Sequence, residues 1–198
     1  MLAAIADECL HSTYGLPECV RILPEHRGSV FCAGIRSFPA VEPQIRRLLF
    51  RFGETSADDP FLRRRVEPLV DAIGCLRDPN TQKFYVNAVL NNRFVPFGDL
   101  LLRRISAHDE TRSILREVAE ERREDVLLSA HYELFVQLLA SCWTDKNEWK
   151  TFTNYWNGSV LNEKQKEALE AAGRTVEANA RWNERDLPQI STLLLQHK

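Results

Sequence analysis

An all-α fold is predicted for this 198-residue chain by three features of its sequence. Apolar residues recur at helical spacing nearly throughout, and acid–proline pairs stand where helices would begin. No segment alternates apolar and polar residues as a half-buried strand would. Roughly nine or ten helices of about 10 to 20 residues joined by short turns fit a helical bundle or an α-solenoid, and periodicity alone leaves both open.

Taken in order, Ile45, Leu48, Leu49 and Phe52 form one apolar face, and Leu62, Val66, Leu69, Val70 and Ile73 a second. Asp59-Pro60 and Asp78-Pro79 each set a capping carboxylate before a proline whose φ already suits a first helical turn. Further stripes run through Leu100, Leu101 and Ile105, through Ile114, Leu115 and Val118, and from Leu127 through Leu134, Phe135, Leu138 and Leu139 to Cys142. Trp149, Phe152 and Trp156 make an aromatic stripe, so core packing is the expected role of the tryptophans, Trp143 and Trp182 included. Asn162 with Gln165 has the form of a capping box ahead of Leu169, Ala172, Val176 and Ala180. Asp186 with Gln189, and Pro188 in the first turn, predicts a final short helix carrying Ile190, Leu193 and Leu194.

At 44% hydrophobic the chain can bury a sizeable core. Its 26 Lys plus Arg against 28 Asp plus Glu leave no global field to attract nucleic acid or an anionic membrane. The clusters Arg63-Arg64-Arg65, Arg103-Arg104 and Arg122-Arg123 therefore read as solvated helix faces. No apolar run approaches the ~18 residues of a membrane span. The five histidines are scattered, and His131-Tyr-Glu133 has no second ligand within a helical turn, so it reads as structural. There is no Gly-rich phosphate loop and no nucleophile elbow.

Four cysteines lie in a distinctive frame: Cys9, Tyr14-Gly-Leu-Pro-Glu-Cys19, Arg27-Gly-Ser-Val-Phe-Cys32 and Gly74-Cys75-Leu-Arg-Asp-Pro79. A second anchor lies near the C-terminus, in Ala168-Leu-Glu-Ala-Ala-Gly-Arg-Thr-Val-Glu-Ala-Asn179-Ala-Arg-Trp182. In both places the sequence resembles the C-terminal domain of zinc aminopeptidases related to aminopeptidase N, although Cys19 to Arg27 is shorter than the usual family segment and residues 91–156 diverge.

The resemblance implies an α-solenoid of antiparallel helix pairs, armadillo- or HEAT-like, over residues 1–198 as one domain. It implies disulfides Cys9–Cys19 and Cys32–Cys75, with Cys142 as an unbridged thiol on a buried stripe. The spacing, with nine residues inside the first pair and forty-two inside the second, does not suit a zinc knuckle. Closing such loops is worth roughly 2.7 and roughly 4 kcal/mol by chain entropy. Arg27 matches a family arginine that either lines the interior cavity or ties helices together.

An oxidising compartment follows: extracellular, cell-surface or endoplasmic-reticulum lumen. Asn157-Gly-Ser159 supplies a glycosylation sequon consistent with it. Because Met1-Leu-Ala-Ala-Ile-Ala-Asp is not a secretory leader, the chain is expected to be an N-terminally truncated piece of a longer protein.

The family's His-Glu-x-x-His zinc motif and its Gly-Ala-Met-Glu-Asn substrate-amine motif are both absent from this sequence. Catalytic residues, metal ligands and cofactors are therefore expected to be none here, with zinc in a catalytic domain that this chain lacks. The expected function is a non-catalytic cap that shapes peptide access to that domain. Its partners would be the catalytic domain, a peptide substrate and a second copy of itself. A freestanding helical-repeat interaction module is the alternative.

Overall fold

The computed structural model describes residues 24–54, 62–107, 109–159 and 161–196, and every described element is helical. The chain divides into two compact units, Met1–His131 and Tyr132–Lys198. In the first lie α1 (Pro24–Ser37), a 3₁₀ turn (Pro39–Val41), α2 (Glu42–Gly53), α3 (Leu62–Gly74), α4 (Pro79–Leu90), α5 (Gly98–Ile105), α6 (Asp109–Glu121) and α7 (Arg123–Leu128). In the second lie α8 (Tyr132–Ser141), α9 (Lys146–Asn157), α10 (Glu163–Arg181), a π-helical turn (Trp182–Asp186) and α11 (Leu187–Gln196).

Helices of the first unit pack mainly on the next but one: α1 on α3, α3 on α5, and α4 on α6. The apolar face of α2 is the one its spacing predicts, with Ile45, Leu48, Leu49 and Phe52 buried. On α3, Val66, Leu69, Val70 and Ile73 are buried in the same way.

Helix α4 starts at Asp78, whose carboxylate accepts from the Thr81 amide at 2.7 Å, with Pro79 in the first turn. The Asp59–Pro60 pair lies outside the described residues. Hydrogen bonds from the Thr81 hydroxyl and amide hold the Asp78 carboxyl below its ordinary value of 3.8. Its folded pKa is thus depressed, so the cap stabilises fully above the unfolded pKa and is lost as pH falls through the folded one. Asp78→Ala should cost about 1 kcal/mol at neutral pH. In thermal unfolding, the gap from wild type should close as the solution is acidified below 3.8.

A polar cluster that periodicity does not reveal ties α2 to α4. Glu42 is buried, and Arg46 grips it with Nε to Oε1 and Nη2 to Oε2, both at 2.8 Å. The Tyr85 hydroxyl donates to Glu42 Oε1 at 2.7 Å, and the Arg46 guanidinium lies 4.1 Å from the centroid of Phe84. Burial, and then the Glu42 charge beside it, push the Tyr85 phenol well above its usual range and keep it a donor.

Three readings of the spacing are corrected. In α5 Leu101 and Ile105 are buried as the spacing predicts, but Leu102 joins them and Leu100 is only half-buried, so the packed face is centred one position further along the helix. Leu127 does not continue into the Leu134 stripe. The chain leaves helix at Ser129 and resumes at Tyr132, and Asn92, in the left-handed region at φ 55°, accepts the Ala130 amide at 3.0 Å to hold that break. In α10 Ala168, not Leu169, joins Ala172, Val176 and Ala180 in the core.

His131 is structural, as its isolation predicts. It is buried, its Nδ1 lies 2.6 Å from Asp99 Oδ1, and its ring occupies the space where a Gly98 side chain would stand.

In the second unit, α8 packs on α10, and both have explicit end chemistry. The capping box predicted at Asn162 is present: Asn162 Oδ1 accepts the Gln165 amide at 2.9 Å, and Gln165 Oε1 accepts the Asn162 amide at 3.0 Å. Asn179 of α10 donates to the Ala140 and Trp143 carbonyls, at 3.3 and 3.1 Å, where α8 ends.

Trp143, Trp149 and Trp156 are core residues as expected, but Trp182 is 48% exposed. The predicted cap at Asp186 is also replaced. The Leu187 amide bonds back to the Trp182 carbonyl through a π turn, so the helix continues and no side-chain cap is needed. Cys142, one residue past α8, is half-buried rather than buried, and its thiol donates to the Leu138 carbonyl at 3.3 Å.

Candidate functional site

On α1, Gly28, Ser29 and Cys32 fall on one face by helical periodicity, and on α3 Asp71 is one turn from Cys75. Packing α1 against α3 brings these faces together, and a disulfide joins Cys32 to Cys75 with a Cα–Cα separation of 5.4 Å. Beside it an open pocket of about 310 Å³ is lined by Gly28, Ser29, Asp71 and Gly74, with Arg104 from α5. A side chain at Gly74 would stand 3.1 Å from the Arg104 carbonyl, so glycine permits α3 and α5 to cross closely.

Arg104 Nε lies 2.7 Å from Asp71 Oδ1, with the two side chains 47% and 33% exposed. At that exposure the pair contributes at most ~1 kcal/mol to stability. Burial holds the Asp71 carboxyl above the usual carboxylate range; the pull of Arg104 works against this and the charge of Glu67 adds to it. Arg36 donates from Nε to the Cys75 carbonyl at 3.4 Å on the disulfide side.

Of the other residues singled out from sequence, Arg27 is half-buried on α1, one residue before Gly28. Cys9 and Cys19 lie outside the described residues. Asn157 is the last residue of α9 rather than part of an exposed turn; Gly158 and Ser159 follow it, and its side chain lies outside the described residues. The structure therefore brings together Cys32 and Cys75, and leaves Asn157 in the other unit. Asp71 escaped sequence reasoning, and Arg104 was read only as part of a solvated helix face, whereas it pairs with Asp71 while keeping 47% exposure. The usable signal for Asp71 was its place one turn before Cys75.

The pocket offers one carboxylate, one guanidinium and one hydroxyl, which can hold a polar group. Among the described residues no three His, Cys, Asp or Glu side chains converge where they could hold a metal ion. No described helix is long and apolar enough to cross a membrane. The disulfide fits an oxidising environment.

No family model matches the sequence. Over 181 residues, 88% of this chain, it is 25% identical to the Caenorhabditis elegans protein named "Putative aminopeptidase-2". The chain spans 9% of that protein's length. The similarity links the chain distantly to the aminopeptidase family, without assigning it a position in the larger protein.

Proposed function

We propose that residues 1–198 are the C-terminal helical domain of a zinc aminopeptidase, a non-catalytic α-solenoid that caps the catalytic domain and shapes peptide access to it. What carries this reading is a chain whose described elements are all helical, with no metal-ligand cluster among the described residues, and which is similar to a protein named "Putative aminopeptidase-2". The packing of α1, α3 and α5 in one row and α4 with α6 in another supports the solenoid, since stacked helix pairs place each helix against its second neighbour.

Zinc, its ligands and the general base belong to the catalytic domain, and this domain contributes closure and water exclusion. The compartment is the cell surface, the extracellular space or the lumen of the endoplasmic reticulum, where Asn157 carries glycan. A glycosidase-sensitive mass shift in material from a secretory host, absent in Asn157→Gln, is the expected result.

Joined to its catalytic domains, the cap should change turnover of long peptides at least several-fold more than that of single-residue chromogenic substrates, because it shapes the outer cavity. Comparing kcat/KM of the full-length and truncated enzymes on both substrate lengths tests this. Equal effects on both would leave the domain a folding partner only, and peptidase activity in the isolated chain would overturn the non-catalytic reading.

A further inference from the structure

In the row formed by α1, α3 and α5, the first helix is the longest and has the smallest apolar hold. It runs for 14 residues against 13 and 8. Among its described residues it buries Phe31 and Ile35 as large side chains, whereas α3 buries Val66, Leu69, Val70 and Ile73, and the much shorter α5 buries Leu101, Leu102 and Ile105. Hydrophobic stabilisation follows the apolar area removed from water, so per residue α1 is held by less than half of what holds α5.

A covalent tie makes up the difference. Cys32 sits between Phe31 and Ile35 and is bonded to Cys75, the residue after α3. The hydrogen bond from Arg36 Nε reaches the carbonyl of that same cysteine, and at 3.4 Å on the exposed side it is a long one.

The tie is open to attack. Both cysteines are half-buried and line the open pocket of about 310 Å³, where their neighbours on α1 and α3, Gly28, Ser29 and Gly74, are small.

We propose that Cys32–Cys75 is a redox-sensitive latch on α1, opened by a dithiol reductant. One thiolate of the reductant attacks a sulfur of the bond, forming a mixed disulfide and expelling the other cysteine as a thiolate, which takes a proton from water. The second thiolate of the reductant then displaces the cysteine still bound, so the reductant leaves as a disulfide and the chain holds two thiols. Without the bond across 43 residues, α1 opens from α3 as a local unit, while α3 keeps its packing on α2 and α5. The latch does not depend on the aminopeptidase reading.

Hydrogen exchange of the full chain under native conditions, before and after dithiothreitol, tests this, with alkylation mapped at each cysteine to show which bonds have opened. Once Cys32 and Cys75 are alkylated, amides of residues 24–37 should exchange at least about tenfold faster, the scale on which losing a cross-link raises local opening, while those of α4 and α6 keep their rates. Cys32→Ala combined with Cys75→Ala should show the same pattern without reductant, which assigns it to this bond. Reduction acts on chains already folded, so it decides the matter even where the double variant fails to accumulate. Unchanged exchange of residues 24–37 with both cysteines alkylated would overturn the latch. So would equal acceleration in α4 and α6, which is global unfolding, or a bond that resists dithiothreitol until the chain is denatured.

Discussion

Glu42→Ala should lower the stability of the first unit by about 3 kcal/mol, the low end of the cost of breaking a buried ion pair. The low end applies because Arg46 keeps a side-chain exposure of 34% and can turn its charge to water, whereas Glu42 has 8%. Tyr85 cannot do the same. It is fully buried, and losing Glu42 Oε1 strands its hydroxyl without an acceptor. Glu42→Gln keeps an acceptor for Tyr85 and for one arm of Arg46, and should cost about 1 kcal/mol, as should Tyr85→Phe. Urea unfolding of the three variants gives the ranking. A Glu42→Ala loss no larger than that of Tyr85→Phe would mean that the Arg46–Glu42 pair adds nothing beyond the phenol's hydrogen bond.

In the second unit the largest loss is expected from Trp156→Ala, about 3–5 kcal/mol, as for other aromatic truncations in a packed core. Trp156 is 1% exposed, with ring centroids 5.0 Å from Phe152 and 6.1 Å from Tyr132 in edge-to-face geometry. Removing it deletes both contacts and opens a cavity between Tyr132 and Phe152, in an aromatic row that runs on from Phe152 to Trp143 and Trp149. Its indole N–H finds no acceptor among the described residues. Trp156→Phe therefore removes an unsatisfied donor along with some volume, and should cost less than half as much as Trp156→Ala. Chemical denaturation monitored by near-ultraviolet circular dichroism separates the two. A phenylalanine variant as damaged as the alanine one would show that the indole's shape, not aromatic contact in general, fills the site.

Much of the helical framework was legible because local chemistry acts within one turn. Asp78 with Pro79, and Asn162 with Gln165, satisfy amides at most three residues away, so their sequence spacing is already their geometry. The faces of α2 and α3 were legible for the same reason: a strong apolar stripe has one way to be buried. Reading failed where a neighbouring element intervened. The break at Ser129 depends on Asn92, 38 residues before Ala130, and the helix through Trp182 persists because a π turn supplies the bond that a cap was expected to supply.

The candidate site divides along the same line. Helical periodicity alone puts Gly28 one turn from Cys32 and Asp71 one turn from Cys75, and the sequence by itself shows that no His-Glu-x-x-His motif occurs in it. Which cysteine meets which, that Arg104 closes on Asp71, and that Asp71 faces Gly28 are decided by the packing of α1, α3 and α5. The physical reason is range. Caps, turns and amphipathic faces are set by interactions among residues a few positions apart, whereas a salt bridge 33 residues long or a disulfide 43 residues long exists only after burial has chosen which helices touch.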